Sequence, residues 1–228
     1  MTQFSRIARG ALALLGFSLV AGAAPALAAA QSPDSTLDRA VAAYATIKTA
    51  RISFTQTIDN ALTGSTVSSR GELQQRRPSR FAVTFEEPAG DRIVSDGQYV
   101  WVYLPSTNPG QVIRAKLGAD VGAPDFAAQF LESPRKSYTV SGGSAATIDG
   151  AATHSVVLTP KSAESPFQKV TLWVNDTDAL LRRVETVDQS GVVRRITVTK
   201  FGKNAPVDAN AFVFHVPAGV KVYDGPAG

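Results

Sequence analysis

The sequence predicts a single, mainly β domain of the α+β type: one large antiparallel sheet, curled, with a helical layer against one face. Three observations carry that expectation. An apolar period of two recurs from Arg51 to Val216; one strong helical stripe stands before it and one short helix interrupts it; and neither an internal repeat nor a second-domain linker divides the chain.

The first element reads as a leader. Arg6 and Arg9 precede the apolar run Ala11–Val20, and Ala26-Leu27-Ala28 follows as a small-x-small cleavage site. Residues 1–28 are therefore expected to be a cleaved signal peptide, with a cut after Ala30 as the alternative, and 29–228 the single mature domain. The leader alters the charge. Of 23 basic and 19 acidic residues, two basic ones and no acidic one fall within it, so the mature 200 residues carry 21 against 19, or +2 rather than the +4 of the whole chain. Such a balance offers no electrostatic case for nucleic acid. The leader's apolar run is too short to span a bilayer and no later segment approaches about 20 apolar residues, so the mature chain is expected to be soluble outside the cytoplasm.

The helix comes next. Ser35-Thr36-Leu37-Asp38 reads as a capping box, and Leu37, Val41, Tyr44 and Ile47 form one apolar stripe. From Arg51 the period becomes two: Ile52, Phe54 and Ile58 alternate with polar residues, as do Phe81, Val83 and Phe85. Ser95-Asp96-Gly97-Gln98 signals a tight turn between Arg92-Ile93-Val94 and Tyr99–Leu104, a β-hairpin whose second strand is apolar on both faces. Pro105–Lys136 breaks the strand rhythm, with a short helix from Pro124 to Leu131 that puts Phe126 and Phe130 on one face. Ser141-Gly142-Gly143-Ser144 reads as a flexible loop. Further strands are expected at 153–159, 168–174, 179–187, 192–201 and 212–216, with hairpin turns at Asn175–Asp178 and Asp188–Gly191.

Catalytic chemistry finds little support. With no Cys there is no thiolate nucleophile, Cys-ligated metal or acylated N-terminal cysteine, and the two His, His154 and His215, have no partners at ligand spacing. Asp176 and Asp178 sit in a turn that explains them. Ser95 lacks the frame of a hydrolase nucleophile. The pairs Arg76-Arg77, Arg182-Arg183 and Arg194-Arg195 read as solvated faces of strands, Arg77 excepted. Counting by twos from Gly71 and Leu73 sets Arg77 on Leu73's face, where its guanidinium could donate to the carbonyls of a covering helix or to a ligand head; a snorkelling surface arginine is the plainer reading.

Taken together, Ser53-Phe54-Thr55-Gln56, Gly71-Glu72-Leu73, Arg77-Pro78-Ser79-Arg80-Phe81, Pro88, Ile93-Val94-Ser95-Asp96-Gly97 and Val100-Trp101-Val102-Tyr103-Leu104-Pro105 resemble the LolA family of periplasmic outer-membrane lipoprotein carriers. The ending Asp208–Val220 is similar too. The resemblance spans roughly 36–224 and implies an unclosed antiparallel β-barrel with a helical lid over an apolar cavity. It implies acylated lipoproteins as cargo, an inner-membrane ABC-type exporter as donor, an outer-membrane acceptor, a periplasmic and monomeric protein, no cofactor or metal, and no catalysis. Arg77 matches the family's arginine before proline, which ties lid to barrel and affects transfer, while Phe81 and Val83 match cavity-lining positions. The match is loose over Phe126–Leu131 and poor over Gly142–Gly150.

The candidate cavity wall is thus Phe54, Phe81, Val83, Phe85, Ile93, Trp101 and Tyr103, with Leu37, Val41, Tyr44, Phe126 and Phe130 as lid contacts. Physics supplies the need for a carrier. At about 0.8 kcal/mol per methylene, one acyl chain of about 16 carbons represents on the order of 12 kcal/mol of apolar transfer, so unaided passage through water is far too slow. A lipid- or lipoprotein-sensing regulatory module of the same fold is the alternative.

Overall fold

The computed structural model describes residues 32–117 and 126–225, so the leader, its cleavage site and Pro124 lie outside the described residues. Helix α1 (Pro33–Ala45) is followed by β1 (Thr49–Asn60), β2 (Ser65–Arg76), β3 (Arg80–Glu87), β4 (Arg92–Asp96), β5 (Tyr99–Tyr103) and β6 (Gln111–Lys116). Two short helices, α2 (Phe126–Leu131) and α3 (Pro134–Ser137), lead into β7 (Tyr138–Ile148), β8 (Ala151–Pro160), β9 (Phe167–Asn175), β10 (Leu181–Asp188) and β11 (Val193–Lys203). A 3-10 turn at Ala209–Phe212 precedes β12 (Lys221–Asp224). All twelve strands form one sheet in the order β12-β6-β5-β4-β3-β2-β1-β11-β10-β9-β8-β7, which ends in two free edges, so the barrel is unclosed. Every pairing is antiparallel except the short β12 against β6.

Helix α1 starts earlier than the apparent capping box. Ser32 is the N-cap, its Oγ accepting from the Ser35 N–H at 3.1 Å, and Pro33 takes the first turn, where its missing N–H costs nothing. Leu37, Ala40 and Tyr44, at i, i+3 and i+7, then face the sheet. They join Val156, Leu158, Val170, Leu172 and Val174 of β8 and β9, together with Phe130 and Leu131 of α2, in the largest core cluster. Val41 packs at its margin, and Ile47, past the end of the helix, is buried in it. Phe130 meets Tyr138 and Phe167 edge to face at 6.1 and 5.7 Å.

Three expectations are corrected. Gly142-Gly143-Ser144 is not a loop but the bulged middle of β7: a Cβ on Gly143 would collide with Ser155 Oγ, which also accepts from the Ser144 N–H. Residues 111–116, read as irregular, form β6. Residues 212–216 alternate like a strand but pair with none. Phe212 instead plugs the outer face of the sheet against Ala82 and Val94, and Phe214 stacks on Trp101 at 5.6 Å. The β4–β5 turn is where expected, with Gly97 at φ +98, and both faces of β5 are covered, Val100 facing the concave core and Trp101 the outer strap.

Candidate functional site: an apolar cavity beside the helices

The concave face is only half filled by helices. Over β1–β5 and β11 it encloses a cavity of about 400 Å³, walled by Ile52, Phe54 and Ile58 of β1, Leu73 of β2, Val83 and Phe85 of β3, Ile93 of β4 and Leu104 just past β5. Leu181 and Val184 of β10, Ile196, Val198 and Phe201 of β11, and Tyr44 and Ala127 of the helices complete it. Phe54 and Phe85 meet edge to face at 5.9 Å. β1, β2 and β3 supply alternate residues, as pleated strands with one face on a cavity do, while register shifts in β10 and against β11 change the parity at Leu181 and Phe201.

Of the residues singled out from the sequence, Phe54, Val83, Phe85 and Ile93 line this space. Phe81 belongs to the same cluster, with Phe54, Leu73, Val83, Val100 and Ile196, but is buried in the wall rather than exposed to the cavity. Trp101 and Tyr103 are not on the wall. Ile93 pairs with Val102 and Val94 with Trp101, so the even-numbered residues of β5 point inward and the odd ones outward. Trp101 Nε1 donates to Asp96 Oδ2 at 3.0 Å, and both rings pack on Phe214. Among the helix residues, Tyr44 lines the cavity, while Leu37, Val41 and Phe130 pack into the neighbouring core. Phe126 opens α2, its side chain lying outside the described residues.

Arg77 follows β2 and reaches across to α1. Its Nη1 donates to the Tyr44 carbonyl at 3.1 Å and its guanidinium lies 4.3 Å from the centre of the Tyr44 ring, while its own N–H donates to the Lys48 carbonyl. The same carbonyl also accepts the Ile47 N–H at 3.0 Å, so Arg77 adds a further donor at the C-terminal end of α1. Elsewhere α1 is held to the filled half: Arg39 donates to the Asp176 carbonyl, and Arg135 of α3 pairs with Asp34 and Asp38 at 2.9 and 2.6 Å, which raises its pKa.

Polar groups inside the cavity were not foreseen. Gln56, Ser69, Gln75 and Arg194 line it, with Asp91, Ser106 and Thr107 at the edge. Arg194 is exposed, as expected for the Arg194-Arg195 pair, and also borders the cavity, whereas Arg195 does not. Neighbours on a strand face opposite ways, and the inward parity of Ile196 assigns Arg194 inward. His154 Nδ1 lies 2.7 Å from Asp176 Oδ1 at the far side of the filled half, remote from the lining, and Asp178 pairs with Arg182. Ser95 is fully buried and donates to the Ser79 carbonyl. Among the described residues no group of acids and histidines could hold a metal, and no helix is long and apolar enough to cross a membrane.

A half-barrel whose concave apolar face is partly covered by helices and partly left as a cavity defines a class of protein that binds apolar ligands. Comparison with known proteins sharpens the class to a family. Residues 45–215 match the family described as outer membrane lipoprotein carrier protein LolA. The chain is 33% identical over 214 residues to an outer-membrane lipoprotein carrier protein of Methylibium petroleiphilum, covering 94% of this chain and 98% of that one. A protein of the same description from Bordetella avium is 27% identical, covering 97% and 99%. Among solved structures, an uncharacterized conserved protein of Thermus thermophilus superposes with a TM-score of 0.51 at 16% identity, over 86% of this chain and all of that one. MucB does so with a TM-score of 0.50 at 15% identity, over 80% of this chain and 62% of that one. The chain belongs to the LolA family.

Proposed function

We propose that this protein is a periplasmic carrier that takes up the acyl chains of lipoproteins leaving the inner membrane and delivers them to the outer membrane. The observation that carries the reading is the cavity of about 400 Å³ on the concave face, walled by Phe54, Val83, Phe85, Ile93 and Ile196 and backed by helices on one side only. Family membership and the names of its relatives agree with it. An ABC-type exporter would supply the cargo and an outer-membrane acceptor would receive it, the carrier acting as a monomer and without catalysis.

Uptake and release require the cavity to open at modest cost. Helix α1 cannot simply lift, because Leu37 and Ala40 are buried in the filled half. The seam that can part is between the C-terminal end of α1 and the β2–β3 turn, where Arg77 bridges to Tyr44. Opening there exposes the cavity and leaves the packed core intact.

The test is mass spectrometry of the protein isolated from periplasm, wild type and Arg77→Leu. The carrier reading expects diverse acylated lipoproteins bound, in greater amount to the variant, whose rim is more apolar and lacks its bridge. One dominant partner protein would instead identify a sensing module. Absence of acylated cargo from both, with outer-membrane delivery unaffected by deletion, would overturn the carrier reading.

A further inference from the structure

The lining of the cavity passes from buried to exposed along the strands. Toward the helices it consists of buried residues, among them Tyr44, Leu73, Val83, Leu181 and Val184. The registers set the β1–β2, β3–β4, β5–β6 and β10–β11 connections together at the opposite end of the sheet, and there Val67, Pro88, Ser106, Thr107 and Arg194 are lining residues exposed to water. A ligand that projects from the cavity into solvent therefore does so at this end.

Between the two ends one rung of the β1–β2 ladder breaks the apolar row. Ile52 stands opposite Leu73 and Phe54 opposite Gly71; then Gln56 stands opposite Ser69, both half-buried and both lining the cavity; then Ile58 opposite Val67 is apolar again. Polar side chains in such a row are costly unless they are hydrogen-bonded. Gln56 Nε2 donates to Ser69 Oγ at 3.1 Å, which fixes the two side chains against each other. That bond uses one donor of the amide and one lone pair of the hydroxyl. Among the described residues the Ser69 O–H has no acceptor and Gln56 Oε1 has no donor, so the pair offers the cavity one neutral donor and one neutral acceptor. Arg194 stands opposite Ile58, on the next rung outward, and is exposed to water.

We infer that Gln56 and Ser69 are the carbonyl site of the cavity: they bind the ester or amide group through which an acyl chain is attached, Ser69 Oγ donating to the carbonyl oxygen and Gln56 Oε1 accepting the N–H where the link is an amide. This rests on the acyl-carrier reading and adds to it the group that is recognised and a direction, with the tail running inward past Phe54 and Ile52 toward Tyr44 and the attached molecule outward past Ile58 and Val67. An acyl chain joined to another molecule always ends in a carbonyl. A wholly apolar wall would strip that oxygen of water and return nothing, whereas a hydroxyl on the wall replaces the lost hydrogen bond. Because the pair is neutral, the contact is worth little net free energy, so it selects and orients the chain without opposing its release.

The test is titration calorimetry of the mature protein with methyl decanoate, N-methyldecanamide and methyl decyl ether, each below its solubility limit. The three share a ten-carbon chain, and the ether lacks the carbonyl. Wild type is expected to bind the ester and the amide about fivefold more tightly than the ether. Ser69→Ala should remove most of the ester's advantage and Gln56→Leu should cost the amide more than the ester, while both variants bind the ether at least as tightly as wild type, which also shows that the cavity has folded. Ser68→Ala, on the outward face of the same strand, should change none of the three affinities. Equal affinities for ester, amide and ether in wild type, or an advantage that survives both cavity substitutions, overturns the carbonyl site and leaves the acyl cavity standing. Failure of all three to bind overturns the acyl cavity itself.

Discussion

One concave face carries two different solutions to the same problem. Over β8 and β9 the inward row of Val156, Leu158, Leu172 and Val174 meets Leu37, Ala40 and Phe130 of the helices, and the result is ordinary close-packed core. Over β1 to β5 the row continues with Ile52, Phe54, Val83, Phe85 and Ile93, equally apolar, but among the described residues the helices reach it only at Tyr44 and Ala127 and it lines a cavity. The difference teaches that the cavity is not a separate device added to the fold. It is the part of the concave face for which the described residues supply no second layer, and it is where the proposed function puts the acyl chain.

The comparison makes its largest claim about stability. A residue in the filled half has contacts on every side, so Leu158→Ala should leave a cavity and cost about 2–5 kcal/mol. Ile93→Ala removes a half-buried side chain whose outer side already faces empty space, and should cost about 1–2 kcal/mol while weakening dodecanol binding severalfold. Urea unfolding of both variants with calorimetry on the second checks this. Equal stability losses would mean that the two halves are one uniform core and would break the distinction.

A smaller effect concerns the contact between the halves. Arg77→Leu loses a hydrogen bond and a ring contact to Tyr44, for which a loss of about 1–2 kcal/mol is expected, with Arg77→Lys recovering part of it. Hydrogen exchange should place the new opening at Tyr44–Lys48 and the β2–β3 turn and leave β8 and β9 protected. Faster exchange in β8 and β9 would mean that α1 leaves as a whole, and the seam would not be the place that parts.

How far the sequence alone reaches differs between these regions for a physical reason. The filled half is legible because α1 has a sharp stripe and β8–β11 alternate clearly, so helix, strands and turns at Asn175 and Asp188 all fall within a few residues of their observed bounds. In the open half, Tyr99–Leu104 is apolar at every position, and composition gives no parity. Parity was nevertheless available. In a hairpin with an even number of loop residues, an odd-numbered residue pairs with an even-numbered one, so Ile93 facing inward sets Val100 and Val102 inward and excludes Trp101 and Tyr103. The large aromatics drew attention because of size, whereas they serve the outer strap at Phe212–Phe214. The same parity, carried from Ile196, would have shown that Arg194 points inward. Residues 111–116 and 221–224 had no such signal: β6 follows a Pro- and Gly-rich stretch, and β12 is four exposed residues that pair in parallel.

The smallest predicted effect is a titration in the open half, and the two tryptophans allow it to be read separately, Trp101 lying on β5 and Trp173 on β9 in the filled half. Burial pushes the Asp96 carboxyl up, but hydrogen bonds from Trp101 Nε1 and from the N–H groups of Tyr99 and Gln98, with the charge of Arg80, outweigh it and hold the pKa below its ordinary value. A carboxyl depressed in the folded state stabilises above its unfolded value, near 3.9, and that contribution disappears as pH falls through the folded value. In a Trp173→Phe background, the Trp101 fluorescence should therefore report an unfolding midpoint that drops as pH is lowered from 5 to 3. Asp96→Asn should lower the midpoint at pH 5 and flatten its fall, because the amide keeps no charge to lose. In a Trp101→Phe background the Trp173 signal should respond less to Asp96→Asn if the open half can loosen before the filled one. Identical shifts at both tryptophans would show the sheet unfolding as a single cooperative unit, in which case release of cargo must proceed through the Arg77 seam without loosening β4 and β5.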